Sequence, residues 1–431
     1  MNEVFHYEGG ELLVEQVPLA AIAQAVGTPA YVYSSAGMCA QLKALQDAFS
    51  GQRMTICYAI KANSNIAVIR TLANQGAGAE IVSGGELEKA LAAGVPADMI
   101  MFAGVAKSRD EMAMALDAGI AQFNVESVPE LIALSEVAAA RKAKAPVAIR
   151  INPDVAADTH EKISTGRKQD KFGIAYERAS EVYAMASSLA GIDPVGVHLH
   201  IGSQIMSLAP FEAAYQRGAE LVRQLRRDGI PISRLDLGGG MGVRYRGDAR
   251  LDVEAYAALV RDVTGDLDVE LLLEPGRYLI AEAGAMLAKV RYMKEGHERP
   301  FAILDAGMND LIRPALYDAY HEILPLKEAT PDATLQPTDV VGPICESSDI
   351  FARGRALPPL AAEDFVAFLG AGAYGAVMAS DYNARPLAAE VLVDGDRFSV
   401  VRPRIEPVER FADERLPDWL EVPTLERGRA C

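Results

Sequence analysis

Thr55-Ile56-Cys57-Tyr58-Ala59-Ile60-Lys61-Ala62-Asn63 sets a lysine at the end of a short apolar run. Its β-branched and aromatic residues predict a buried strand. A lysine at the mouth of such a strand is poorly solvated, which is expected to lower its pKa and free its amine to attack a carbonyl. The same residues also fit an ordinary strand end with its ammonium in water. The neighbouring sequence has to separate the two.

Similar runs follow Thr55–Lys61, each ending in small or polar residues: Ala77–Ser83, Met99–Gly104, Ala121–Ser127, Val147–Pro153, Val195–Ser203, Arg234–Gly240 and Glu270–Gly276. Between the earlier ones, Ser64–Asn74, Gly85–Ala93, Ser108–Ala118 and Val128–Ala140 carry apolar residues at helical spacing. Strand and helix alternating in this way predict consecutive βα units closing into a (β/α)₈ TIM barrel, an α/β fold. Asp154 to Gly173 is polar and glycine-punctuated, and reads as a surface loop near the barrel mouth.

Outside the barrel the pattern changes. Met286–Met293, Pro300–Leu304, Ile323–Leu326, Asp339–Ile344, Phe365–Leu369 and Ala389–Val393 are strand-like, and Asp394-Gly395 predicts a hairpin turn before Phe398–Val401. Before the barrel come a short strand at Glu11–Val14, a helical patch from Leu19 to Val26, and a break at Gly27-Thr28-Pro29. Ala30–Tyr33 follows, with Ser34 or Ser35 able to cap the next helix. Residues 35–284 are therefore expected to form the barrel. Residues 1–34 and 285–431 form a second, mostly β C-terminal domain completed by the N-terminal segment.

Of 431 residues half are apolar, enough for two cores, and 59 acids against 42 bases leave a net charge of −17. That balance argues against a nucleic-acid or anionic-membrane partner, though not against an anionic substrate in a local arginine pocket. No apolar run approaches the roughly 20 residues of a membrane span. Met1–His6 lacks the basic region and apolar core of a signal peptide. Four cysteines without a C-x-x-C pair fit neither a disulfide framework nor a zinc cage, so a cytoplasmic setting is expected.

Active sites of such barrels are built at the C-terminal strand ends. Besides Lys61, those ends carry His198, His200 and Ser203, then Gly238-Gly239-Gly240, then Glu274-Pro275-Gly276-Arg277. Consecutive glycines let backbone N–H groups approach an anion, although they also suit a bulge or tight turn. The loops after strands seven and eight are the recurrent phosphate site of the fold, and Ser203 and Arg277 can add a hydroxyl and a guanidinium. His198 and His200 alternate along a strand and could bind zinc, given more ligands from other strand ends. None of the remaining histidines ends a barrel strand, so no metal is expected, and a ring stacked on a flat cofactor is the preferred reading. Glu274 could pair with an arginine or hold a heteroaromatic nitrogen in its protonated form. A reactive lysine, a phosphate cradle, a stacking ring and a ring-nitrogen acid together describe a pyridoxal phosphate site.

The motifs Tyr58–Asn63, His198-Leu199-His200-Ile201-Gly202-Ser203-Gln204, Leu237–Gly240, Glu274–Arg277, Asn309-Asp310-Leu311-Ile312-Arg313-Pro314-Ala315-Leu316-Tyr317, Cys345-Glu346-Ser347 and Gly372-Ala373-Tyr374-Gly375 span nearly the whole chain. In that order they resemble the alanine-racemase-fold (fold III) pyridoxal-phosphate decarboxylases, and within them the diaminopimelate decarboxylases. The resemblance implies decarboxylation of meso-2,6-diaminopimelate to L-lysine and CO₂, with Lys61 as the Schiff-base lysine, His200 stacked on the ring and Glu274 at its nitrogen. Ser203, Gly238, Gly239, Gly240, Gly276 and Arg277 would surround the phosphate. Arg277, Arg313, Tyr317, Glu346 and Tyr374 would hold substrate, with Tyr374 also near the cofactor. Cys345 would be the proton donor. It would be supplied with Glu346 from the partner subunit of a homodimer. Opposite charges at Arg313 and Glu346 suit the distal carboxylate and ammonium of a diamino diacid. The alternatives are a related fold III decarboxylase of another basic amino acid or a carboxylated polyamine, or a non-catalytic relative of that fold.

Overall fold

The computed structural model describes residues 4–155, 171–247 and 250–420. Eight parallel strands close a barrel: Met54–Ala59, Gly78–Ile81, Ile100–Phe102, Gln122–Val125, Ala145–Asn152, Ile192–His198, Arg234–Asp236 and Glu270–Leu273. Each of the eight apolar runs supplies one of them. The eighth strand pairs back onto the first, Leu272 opposite Thr55, so no edge is left open. Every residue of the second and fourth strands is buried, as expected where helices cover one face of a parallel sheet and side chains fill the other. Burying each large apolar side chain contributes roughly 1.5–3 kcal/mol, and Phe102, Phe123, Ile149 and Leu273 are wholly enclosed.

The helices begin where polar residues can satisfy their free N–H groups. Ser83 accepts from Glu86 N, Ser127 from Glu130 N, and Ser108 forms a full capping box with Glu111. Of the two cap candidates after Tyr33, Ser34 takes the role, accepting from Gly37 N ahead of the helix Ser35–Ala48.

Ala30–Ser34 pairs antiparallel with Gly284–Lys294 and parallel with Ala389–Asp394, so the N-terminal segment completes the C-terminal sheet. The expected strands of that sheet are present, and Asp394-Gly395 turns the chain into Arg397–Arg402. A further strand, Ile350–Leu357, follows the Cys345 segment and was not expected, because Arg353 and Arg355 interrupt its apolar pattern. A small second core joins Phe5, Leu12, Val14 and Ile22 to Val32, Leu287 and Val391. Most of the interval from Asp154 to Gly173 lies outside the described residues, as do His160 and the last eleven residues of the chain.

Candidate active site

Lys61 sits on a single 3₁₀ turn, Ile60–Ala62, directly after the first barrel strand. Three bonds fix that turn: Tyr58 OH donates to Asn63 O at 2.8 Å, Asn63 Nδ2 to Gly372 O at 3.2 Å, and Tyr374 N to Ala62 O at 2.8 Å. Gly276 presses against the other side, where an added Cβ would lie 3.1 Å from both Ala59 Cβ and Ala62 Cβ. The lysine amine forms an ion pair with Glu80 from the second strand. Burial pulls its pKa down, yet Glu80, Tyr374 and Glu274 push it up further, and the net direction is upward. This reverses the expectation from sequence, which counted the burial of Lys61 but not the acid facing it.

Below the lysine lies a group of buried acids. Asn124 Nδ2 donates to Glu274 Oε1 at 2.9 Å and to Asp236 Oδ2 at 3.1 Å, while Gly238 N donates to Asp236 Oδ1 at 3.0 Å. Burial and the neighbouring Glu80 raise Glu274 to about 8. Burial and Glu274 raise Asp236 to about 7. Burial also lowers His198 to about 4, so its ring is neutral. His198 Nε2 approaches Glu274 Oε2 at 3.3 Å without hydrogen-bond geometry, and both of its ring nitrogens are buried without a partner.

His198, Asp236 and Glu274 place ligand atoms within 4.8 Å of one another, so carboxylates from two further strand ends do reach the first histidine. Three of the four carboxylate oxygens in that trio already accept from Asn124 or Gly238. Glu274, raised to about 8, is also a poor metal ligand while it keeps its proton. His200 lies above this group. Its Nδ1 accepts from Gly239 N at 3.2 Å, which leaves the proton on Nε2, and burial and Arg150 hold its pKa well below the usual histidine range.

The glycine loop packs three strand ends together. Gly238 and Gly240 have φ of +66° and +103°, and added Cβ atoms at Gly238, Gly239 and Gly240 would come within 2.2 Å of Leu199 O, 2.3 Å of Glu274 O and 2.6 Å of Gly202 O. Only glycine fits there, as the tight-turn reading requires, and the N–H groups of Gly238 and Gly239 are given to Asp236 Oδ1 and His200 Nδ1. Beside it Arg277 donates from Nη2 to Ser203 Oγ at 3.3 Å and from Nη1 to Tyr245 OH at 2.9 Å, and lies 4.7 Å over the Tyr374 ring. Its Nε is buried without a partner.

Arg313 opens the short helix Arg313–Tyr317. It is buried, 4.7 Å over the Tyr245 ring, with Nη1 3.1 Å from His321 Nε2. His321 Nδ1 faces Leu369 O at 2.9 Å, so that nitrogen carries the proton and Nε2 accepts from Arg313. Tyr317 is close enough to Arg277 for its phenol to favour that cation. Among the described residues neither Arg277 nor Arg313 is paired with a carboxylate. Buried cations without counter-charge are costly, and an incoming anion relieves the cost.

Cys345 and Glu346 stand apart. Both are exposed, and Glu346 accepts from Tyr382 OH at 2.6 Å and Ser348 Oγ at 3.0 Å rather than facing Arg313. Asp349 clamps their loop, accepting from Met308 N at 2.7 Å and Ile344 N at 2.6 Å. One chain thus gathers Lys61, His200, Ser203, the glycines, Glu274, Arg277, Arg313, Tyr317 and Tyr374, and leaves these two on its surface. Sequence reasoning missed Glu80, Asn124, Asp236, Tyr245 and His321. Glu80 and Asn124 carried a signal, a polar residue inside an apolar strand. Tyr245 and His321 lie in loops and carried none.

These residues fit pyridoxal phosphate. A lysine amine stands at the mouth, an acid protonated at neutral pH lies within, a close glycine turn borders them, and an arginine beside it has an unpartnered buried Nε. Residues 36–281 match the family model described as pyridoxal-dependent decarboxylase, pyridoxal binding domain. A diaminopimelate decarboxylase of Zymomonas mobilis is 47% identical over 422 residues, 96% of this chain and 99% of that one. The diaminopimelate decarboxylase of Helicobacter pylori, solved with L-lysine, is 40% identical with a TM-score of 0.88, covering 91% of this chain and 98% of that one. That of M. jannaschii, also with L-lysine, is 37% identical with a TM-score of 0.92, covering 97% and 99%. Site geometry, family model and near full-length relatives agree: the chain belongs to the diaminopimelate decarboxylases of the pyridoxal-dependent decarboxylase family.

Proposed function

We propose that this protein converts meso-2,6-diaminopimelate to L-lysine and CO₂, as the last step of lysine biosynthesis, with pyridoxal phosphate held at Lys61. One observation carries the reading: Arg277 and Arg313 are both buried, with no carboxylate partner among the described residues. Two such cations suit two anions, the cofactor's phosphate and the distal carboxylate of a diacid. A substrate with a distal amine alone would leave Arg313 buried against no anion.

When bound, the cofactor supplies an electron sink for the carbanion left by loss of CO₂. Lys61 can pass its proton to Glu80, the carboxylate that already holds its ammonium. Glu274 holds a proton at neutral pH, the one it would share with the ring nitrogen. His200 is neutral and can lie against the ring without adding a second positive charge. Ser203, Gly240, Gly276 and Arg277 would receive the phosphate at the turn that Gly238 and Gly239 shape, and Tyr374 would line it.

Arg277, Arg313, Tyr317 and Tyr374 would hold the substrate, with Arg313 and Tyr317 at its far end. Cys345 and Glu346, exposed here, would enter the site of a partner subunit in a homodimer, the thiol returning a proton to the carbanion and the carboxylate meeting the distal ammonium. The unpaired thiols of Cys39, Cys57 and Cys345 suit a reducing cytoplasm, and no helix among the described residues is long and apolar enough to cross a membrane. The pairings of Ala30–Ser34 support domain limits of 35–284 for the barrel, with 1–34 and 285–431 forming the other unit. The test is release of L-lysine and CO₂ in equal amounts from the diacid, beside lysine, ornithine and a carboxylated polyamine. Turnover of ornithine with none of the diacid would replace this reading with the related decarboxylase.

A further inference from the structure

Glu346 is exposed, yet each of its carboxylate oxygens accepts a hydrogen bond. Tyr382 OH donates to Oε1 at 2.6 Å and Ser348 Oγ to Oε2 at 3.0 Å. These bonds, that from Tyr382 foremost, hold the Glu346 carboxyl below its usual pKa, so it is ionised at neutral pH. Glu346 in turn raises the Tyr382 phenol, which keeps its proton and remains a donor, and Cys345 is near enough to add to that shift. Each carboxylate oxygen retains a second lone pair that an ammonium can use. The tyrosine is itself held in place. Ser380 N donates to Asn309 O at 2.9 Å and Arg385 Nη2 to Asp305 O at 2.6 Å, so the Tyr382 segment is fixed to residues 305–310. Asp349 ties the Cys345 loop to the same residues through Met308 N. Directly after Tyr382, Asn383 and Ala384 have φ of +59° and +53°, a left-handed conformation that residues with a side chain rarely adopt. Such a turn persists only where its surroundings hold it, and this one delivers a phenol to Glu346.

We propose that Tyr382 is a positioning residue that sets specificity: its hydroxyl aims the Glu346 carboxylate at the distal ammonium of the diacid. The inference rests on the decarboxylation and the shared site proposed above, and adds to them the group that orients Glu346. Without the phenol, Ser348 alone holds the carboxylate, from the same loop and by the opposite oxygen, and Glu346 can turn out to solvent. Recognition of the distal carboxylate does not pass through Tyr382. Cys345 keeps its place as well, because Asp349 clamps its loop through Met308 N and Ile344 N.

The experiment uses the holoenzyme, the variant Tyr382→Phe and two inhibitors. L-lysine keeps both charges of the distal end, whereas 6-aminohexanoate keeps its carboxylate and lacks its ammonium. The inhibition constant of L-lysine and the KM for meso-diaminopimelate should each rise roughly tenfold, while 6-aminohexanoate inhibition and kcat stay within about twofold. In a Glu346→Ala background the same substitution should change L-lysine inhibition by less than about twofold, because the carboxylate it orients is already gone. If the phenylalanine variant fails to fold, Tyr382→Leu, which also lacks the donor, is read for the same split. Equal effects on the two inhibitors, none on either, or full additivity with Glu346→Ala would overturn the proposal. Wild-type protein that releases no lysine from the diacid would overturn the decarboxylase reading itself, and this inference with it.

Discussion

Asn124 Nδ2 lies 2.9 Å from Glu274 Oε1, and through a second bond to Asp236 the same amide holds two buried acids in place. It thereby fixes which oxygen of Glu274 is turned toward His198. Asn124→Ala should leave the barrel folded and weaken pyridoxal phosphate binding roughly tenfold, the value of one hydrogen bond to an ionisable group at about 1.5 kcal/mol. Titration of the apoprotein with cofactor, followed by absorbance, measures this. Unchanged affinity would mean that Glu274 needs no support.

Glu80 is the acid that keeps Lys61 protonated, so Glu80→Gln should lower the lysine's pKa. A cationic group whose folded pKa falls deprotonates at lower pH. The pH midpoint for capture of the cofactor by the amine should therefore move down by about one unit or more. A midpoint that stays put or rises would show that another group controls the lysine.

Glu274 and Asp236 give the apoprotein a pH dependence with a definite sign. Their folded pKa values, about 8 and about 7, lie above those of free carboxyls, so the folded state binds protons that the unfolded chain has released. Their contribution is present below the unfolded values and lost as pH rises through the folded ones. The apoprotein should lose stability between about pH 4.5 and 8, and Glu274→Gln should flatten that slope. Urea unfolding at several pH values reads both. A wild-type slope that rises over this window would contradict the assignment.

If Cys345 serves the neighbouring subunit, Lys61→Ala and Cys345→Ala should each be nearly inactive alone yet complement each other. Random reassortment makes half the dimers mixed, with one of two sites intact, so the mixture should recover about a quarter of wild-type activity. A mixture no more active than its parents would place both residues in one subunit's site.

The barrel was legible because each of its strands is an apolar run closed by a turn, a pattern set by burial on both faces. Ile350–Leu357 escaped because Arg353 and Arg355 break the alternation on a partly exposed strand. In the site, position along the chain located Lys61, Glu274 and the glycines, since strand ends converge in this fold. Their electrostatics were not legible. The shift of Lys61 depends on Glu80 across a strand boundary, and that of Glu274 on an enclosed group of acids contributed by several strands. Tyr245 and His321 lie in irregular segments, where no periodicity reports which way a side chain faces.

The central claim is decarboxylation of the diacid at Lys61. Release of L-lysine from meso-diaminopimelate should be measured with wild-type protein and Lys61→Ala, each with and without added pyridoxal phosphate. Cofactor-dependent release by the wild type, and loss of at least about a thousandfold in the variant, is the predicted result. Lysine release by Lys61→Ala at a rate near that of the wild type would contradict the account.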